Sequence, residues 1–418
     1  MSREVVVTGL GAIGSFGGGR QDLAAALLAG RPHLAAVDRA AGYHRSGGAR
    51  LAALVGGYDL SPWVPAREGR RMSPPSKLAL AAARMALHDS GLAGLAGEDG
   101  LPGAAVVIST SFGPASYTEG LLKQILDRPE SASPFLFTES VANAPAAQIG
   151  IATGATGAGL TIAQREAGPL LTVLRGTAEI AAGRAPLALV GTVEEMTPLL
   201  HAVLDRFGAL ARPGDSGDSG DGTEVAAEVA RPFDRRRAGF LAGDGSAVLV
   251  LEDAARAAQR RCRPLARLLG GGRAFDPSAP PTGWGEGHAA LARSLLGGLE
   301  RAGLTPADVD LIVSGASGAR AGDRLEALTL KAAWGERPLP PILAPKAVVG
   351  EYGGGFLAAA ILAAAGVPFG PTAGFAEVDP ELGIVPHRGG PLPAPARVLV
   401  STLAAGGAAA WLLLGAAE

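Results

Sequence analysis

Few residues in this chain are equipped to act on a substrate, and the most telling of them is a carboxylate. Glu166 stands in "LTIAQREAGP" at 160–169. An acyl group passed to a carboxylate would form an anhydride, far more reactive than a thioester, so Glu166 is unsuited to carry an acyl intermediate. Ser109, Thr110 and Ser317 offer hydroxyls that need a neighbouring base, and none of the histidines (His33, His44, His88, His201, His288 and His387) falls in a motif beside them. The histidines also lack i, i+4 pairing and adjacent carboxylates, so no metal or cofactor is expected. The single cysteine, Cys262, excludes an internal disulfide framework and any cysteine-rich metal cluster. Its setting, "AQRRCRPLA", supplies arginines that would lower a thiol pKa. The plainer reading is a half-exposed cysteine near the start of a strand.

The elements that must position these groups alternate. Short β-branched runs fall at 4–11, 104–110, 185–193 and 245–253, and again at 309–317, 396–403 and 408–415. Ala/Leu-rich helical stretches lie between them, such as "SKLALAAARMALHDSGL" at 76–92 and "GHAALARSLLGGLERAGL" at 287–304. Each of these two ends at a glycine suited to a helix C-cap, and they look like counterparts in two half-domains. The alternation implies layered sheets covered by helices.

At 418 residues, the chain is past the roughly 250–300 residues at which single cores split, so two similar halves are expected. Hydrophobic residues make up 48% against 18% charged, and 62 glycines with 31 prolines suit an α/β protein with many tight turns. The net charge of -2, with scattered Lys and Arg, excludes the electrostatic footprint of a nucleic-acid binder. "MSREVVVTGLG" enters a strand pattern without the architecture of a secretory signal, and no run reaches the ~18 apolar residues of a spanning helix. A cytoplasmic protein with no membrane contact is expected. The acidic segment "RPGDSGDSGDG" at 212–222 is too polar to pack and reads as a surface loop.

Six segments, in order, resemble the β-ketoacyl synthase family of the thiolase-like fold. They are "VVVTGLGAIGSFG" near the start, "ANAPAAQIGIATGATG" at 142–157, "RPFDRRRAGFLAGDGSAVLVLED" at 231–253, "LTPADVDLIVSGASG" at 304–318, "APKAVVGEYGGG" at 344–355 and "STLAAGGAAAWLLL" at 401–414. The resemblance implies an α/β fold, a duplicated α-β-α-β-α layered arrangement. One half would span 1–253 and the other 254–418.

Active members of that family carry a nucleophilic cysteine and two histidines. Laid on this chain, the cysteine position is Glu166, the first histidine position is Gly315 in "GASGARAGD", and the second is Glu351, after Gly350. Lys346, which lies near the active site in the family, is kept, while the glycine-rich C-terminal motif offers Ala405 and Ala409 where the family has a phenylalanine gate and an asparagine. No catalytic residue is therefore expected, because one lysine restores neither the nucleophile nor the acid/base pair. This pattern of loss is similar to the chain-length factor, or β subunit, of type II polyketide synthases, although that branch commonly has glutamine where Glu166 stands.

By that likeness Glu166 would begin a buried helix, where burial raises its pKa and backbone donors lower it. Three roles are open to it: a structural plug accepting amide hydrogen bonds, a partner for Arg165 or for a basic residue of another subunit, or a decarboxylation group needing oxyanion donors. The resemblance further implies a heterodimer with a catalytic ketosynthase subunit, and an acyl carrier protein met through that complex. Ala115, Tyr117, Thr118, Leu122 and Phe135 would fall at the tunnel and interface. Ala115 and Leu122, smaller than the aromatics usual there, imply room for a long or polyene chain. The alternative function is a malonyl-carrier decarboxylase that primes the same synthase through Glu166.

Overall fold

A computed structural model describes residues 3–94, 100–214 and 228–417. Most of the acidic segment, residues 215–222, lies outside them. Ten strands follow one another across a single sheet: β1 (Val5–Gly14), β2 (Ala105–Ser109), β3 (Gly159–Ile162), β4 (Leu187–Glu194), β5 (Gly245–Asp253), β6 (Ala266–Phe275), β7 (Leu311–Ser314), β8 (Ile342–Leu343), β9 (Arg397–Leu403) and β10 (Ala408–Ala416). Their spatial order is β8-β7-β9-β10-β6-β1-β5-β4-β2-β3, and the short strand Gly17–Gly18 adds to β1. Read outward from the middle, each half has the same order of first, fifth, fourth, second and third strand. The halves meet where Val5–Val7 runs antiparallel to Ala266–Leu268. The chain is thus a duplicated α/β unit.

Side-chain alternation builds the layers. Along β2, Ala105 and Val107 face one core, and Val106 and Ile108 face another. Along β9 and β10, Val398, Val400, Leu412 and Leu414 face that first core, while Leu399, Trp411 and Leu413 face a third. A period of two on strands buried on both faces requires helices on both sides. The outer helix of the first half is α1 (Pro74–Asp89), started by the Ser73 side chain accepting from the Ser76 amide and by prolines in its first turn. It ends before Gly91, whose φ of 74° is left-handed. On the second half the outer helices are α6 (His288–Arg301) and α7 (Arg320–Trp334).

Between the two halves lie α4 (Gly168–Ala181) and α8 (Gly355–Ala364). Every residue of α8 is buried, as expected for "GFLAAAILAA", which has no polar face to turn outward. No described helix is long and apolar enough to cross a membrane. The arrangement is α-β-α-β-α, and the turn into α4, where Glu166 sits, lies at its centre.

Three further helices carry candidate residues or lie against the Glu166 pocket. These are α2 (Ala115–Asp127), α3 (Pro134–Ser140) and α5 (Pro198–Arg206). α5 is capped by Thr197, whose side chain accepts from the Leu200 amide.

Candidate functional site

β3 ends at Ile162 and the chain turns through a short 3-10 segment, Arg165–Ala167, before α4 begins at Gly168. Gly168 is required there, since a Cβ would lie 2.9 Å from the Ser109 Cβ. Arg165 holds a left-handed φ of 43°, a conformation that a non-glycine residue adopts at a cost of roughly 1–2 kcal/mol. The kink turns Glu166 inward, leaving it 4% exposed.

The carboxylate does not rest on the amides of α4. Glu166 Oε1 accepts from the Tyr352 hydroxyl at 3.0 Å, and Oε2 accepts from the Ala405 amide at 3.1 Å. The Glu166 carbonyl accepts from Thr402 Oγ1 at 3.0 Å. A pair with Arg165, one of the three roles open to Glu166, is not formed, and Arg165 Nη1 donates instead to the Ala405 carbonyl at 3.4 Å. Tyr352 has a left-handed φ of 80° and is fixed edge-on against Phe112 and Phe240, with ring centroids 5.0 and 5.8 Å away. Of the three readings of Glu166, a plug locked by hydrogen bonds describes its contacts best.

Around it lies a buried polar cluster. Lys346 Nζ is 2.7 Å from Glu351 Oε1, both side chains almost wholly buried, and the ammonium sits 4.9 Å from the centroid of the Phe356 ring. Glu194 accepts from the Ser111 and Phe112 amides and from Thr110 Oγ1. Glu166, Glu194, Lys346, Glu351 and Tyr352 line a common void of about 10 Å³, room for a water at most. Burial pushes the Glu166 carboxyl pKa above its ordinary value, the Glu351 charge adds to the rise, and Lys346 opposes it. Burial likewise raises Glu194 to about 7. The Tyr352 phenol is pushed up by burial and by the Glu166 charge.

Gly315 directly follows β7 and does not line that void. Its amide donates to Glu326 Oε1 at 3.3 Å, and a Cβ there would meet the Ser401 carbonyl at 2.9 Å and Thr402 Cα at 3.0 Å. An imidazole does not fit without backbone movement. Ser109 and Thr110 spend their hydroxyls on the Gly191 carbonyl and on Glu194, and Ser317 is buried. Among the described residues no histidine hydrogen-bonds to any of the three. Cys262 is half-buried and burial raises its thiol pKa, so the neighbouring arginines do not produce a reactive thiolate.

The expected tunnel residues form a separate group. Ala115, Tyr117, Thr118 and Leu122 lie on α2, and Phe135 lies on α3. Tyr117 donates to the Met72 carbonyl at 3.3 Å, and Thr118 Oγ1 lies 3.0 Å from the Pro114 carbonyl and 3.1 Å from that of Ser140. No residue of α2 is buried, although the helix carries Leu121, Leu122, Ile125 and Leu126. Leu126 is 85% exposed and Phe135 63%.

Sequence reasoning missed Tyr352, Glu194 and the cavity over Glu166. That cavity holds about 270 Å³ and is walled by Phe112, Leu204, Phe207, Phe240 and Trp284, with Arg165 and Glu166 also in its lining. The "GEY" of 350–352 signalled a tyrosine beside the expected second-histidine position, but not the φ that aims it.

Residues 2–257 match the N-terminal domain of β-ketoacyl synthases, and residues 269–367 match the C-terminal domain. The chain belongs to the β-ketoacyl synthase family. The tetracenomycin polyketide synthase ketoacyl synthase β subunit of Streptomyces glaucescens is 31% identical, over 91% of this chain and 90% of that protein. The α subunit of the same synthase is 28% identical, over 91% of this chain and 89% of its own. Among solved structures, the ishigamide ketosynthase/chain length factor superposes with a TM-score of 0.86 at 29% identity, covering all of both chains. Ketosynthase subunits of polyketide synthases, α and β alike, are thus homologues of this ketosynthase-like chain, and its layered architecture is theirs.

Proposed function

We propose that this chain is a non-condensing, chain-length-factor-like subunit that pairs with a catalytic ketosynthase and bounds the cavity in which a polyketide grows. The observation that carries the proposal is the Glu166 carboxylate. It stands where the resemblance assigns the nucleophile, and both its oxygens are engaged, by the Tyr352 hydroxyl and the Ala405 amide. Glycine and glutamate stand at the two imidazole positions, Gly315 and Glu351.

The exposed apolar face of α2 and α3 supports a partner subunit. Leu122, Ile125, Leu126, Phe135 and Phe137 are all more than 40% exposed, as is Ile151 nearby. A contiguous patch of this kind on a large chain marks an interface. The small Ala115 at the start of α2 supports room for a long or polyene product. Acyl carrier protein would then be met through the assembled pair. The alternative, malonyl decarboxylation promoted by Glu166, needs free oxyanion donors, and the Ala405 amide is already spent on Glu166 itself.

The test is condensation with malonyl-loaded carrier protein, assayed for the chain alone, for the partner ketosynthase alone and for the pair. Product is expected from the pair only, and turnover by the chain alone would overturn the proposal. Acetyl-carrier formation that is lost on Glu166→Ala would favour the decarboxylase instead.

A further inference from the structure

The loop at 38–50 spans from α2 to α5, and a pair of imidazoles fastens it. Its base is closed where Ala35–Ala36 pairs with Leu51–Ala52. On one side the Tyr43 hydroxyl donates to Glu119 Oε1 of α2 at 2.5 Å. On the other, His44 Nε2 lies 3.0 Å from Nδ1 of His201, a wholly buried residue of α5. Within the loop, Arg39 Nη2 donates to the Ala49 carbonyl at 2.8 Å.

The hydrogens of the pair are fixed by its neighbours. His201 Nε2 is 3.2 Å from the Leu51 carbonyl, which can only accept, so that nitrogen carries the hydrogen. Neutral His201 then offers a lone pair at Nδ1, and His44 donates to it from Nε2. His44 Nδ1 is left as a lone pair, buried and with no hydrogen-bond partner among the described residues. A further proton has no good place here. On His201 Nδ1 it would set two N–H groups head to head, and on His44 Nδ1 it would create a buried N–H without an acceptor.

The charges around the pair do not relieve this. Arg39 of the loop disfavours a cation on either ring, while Asp205 of α5 favours one. Asp205 is already engaged by Arg212 Nε at 2.8 Å and by the Ala49 amide at 3.1 Å, and Glu228 by the Arg50 and Leu51 amides. Burial, the largest influence on both rings, holds them below the ordinary imidazole range, His201 at about 4. With the loop lifted, His44 meets water and titrates near its ordinary ~6.5. The docked loop is therefore favoured above that value, and its advantage is lost as pH falls below it.

We propose that His44 and His201 form a proton-operated latch: the neutral pair holds the 38–50 loop against α5, and uptake of a proton releases the loop and with it the Tyr43 contact to α2. The latch rests on this chain's own contacts and not on the identity of a partner.

The experiment is hydrogen–deuterium exchange of the full chain at two pH values, read by mass spectrometry on peptides covering 38–51 and corrected for the intrinsic exchange rate. Freeing one imidazole that titrates near 6.5 raises the open population about tenfold between pH 7.5 and pH 5.5. The Ala49, Arg50 and Leu51 amides should lose that much protection at pH 5.5, while those of β4 and β5 keep theirs. His44→Gln keeps a side-chain donor toward His201 and does not titrate, so its loop protection should be the same at both pH values. His44→Ala removes the latch and should leave the loop weakly protected at both. Glu228→Gln should keep the native response, because the imidazoles are the sensor. Protection that is independent of pH in the unaltered chain, a loss shared equally by β4 and β5, a response that persists in both His44 variants, or one abolished by Glu228→Gln would overturn the proposal.

Discussion

Replacing Glu166 by glutamine separates its charge from its shape. A glutamine carbonyl can accept from the Ala405 amide, and its NH₂ can donate to the Tyr352 hydroxyl, which reverses from donor to acceptor. Both contacts survive while the titrating proton is removed. In the native protein burial raises the Glu166 pKa above its unfolded value, about 4.3, so the folded state holds a proton that the unfolded chain has released. That stabilising contribution is fully present below the unfolded pKa and is lost as pH rises through the folded pKa. A single such group tilts stability by at most about 1.4 kcal/mol per pH unit. Glu194 and Glu326, each at about 7, and Asp244 and Asp323, each at about 6, tilt in the same direction and are common to both proteins. The Glu166→Gln curve should therefore still fall with pH, but less steeply. The gap should be near zero at pH 4, widening to roughly 1–3 kcal/mol in favour of the variant by pH 8. Urea unfolding of the reconstituted pair across that range measures it, and partner contributions cancel in the difference. Parallel curves, or a gap that widens toward acid, would refute a buried, proton-holding Glu166.

Tyr352→Phe removes one of two donors to a buried carboxyl and should destabilise the chain by about 1–3 kcal/mol in the same urea titration, and by less in a Glu166→Gln background. Glu166→Cys should yield no condensing activity in a carrier-protein assay of the chain alone. Adding Gly315→His should lower soluble yield instead of restoring activity, since the Ser401 carbonyl and Thr402 block the side chain. Ala115→Phe in the reconstituted pair should shorten the product seen by mass spectrometry, and an unchanged chain length counts against a tunnel role. Leu126→Asp with Phe135→Asp, both at exposed positions, should weaken assembly in analytical ultracentrifugation without lowering the unfolding midpoint of the chain.

The layered fold was legible because buried strands and wholly apolar helices write their burial directly into composition. The strand runs at 104–110, 185–193 and 245–253 appear as β2, β4 and β5, and the all-apolar α8 had no alternative to the central layer. β6 was not legible: its "LLGGGRAF" has three glycines where β-branched residues would announce a strand, and pairing with β10 along Ala266–Phe275 holds it in the sheet. At the site, the residue types at 166, 315 and 351 could be read from position in motifs. The partner of Glu166 could not, because Tyr352 reaches it only through a left-handed backbone 186 residues away in sequence. The 3-10 segment also puts Glu166 two residues ahead of α4, where it reaches across to Ala405 instead of taking helix amides.

The central claim is that no acyl group is ever carried on this chain. Intact-mass measurement of both subunits, trapped during turnover of the reconstituted pair with malonyl-loaded carrier protein, tests it most directly. An acyl adduct on the partner ketosynthase alone is the predicted result, with this chain at its unmodified mass throughout. An adduct on this chain that disappears with Glu166→Gln would contradict the account.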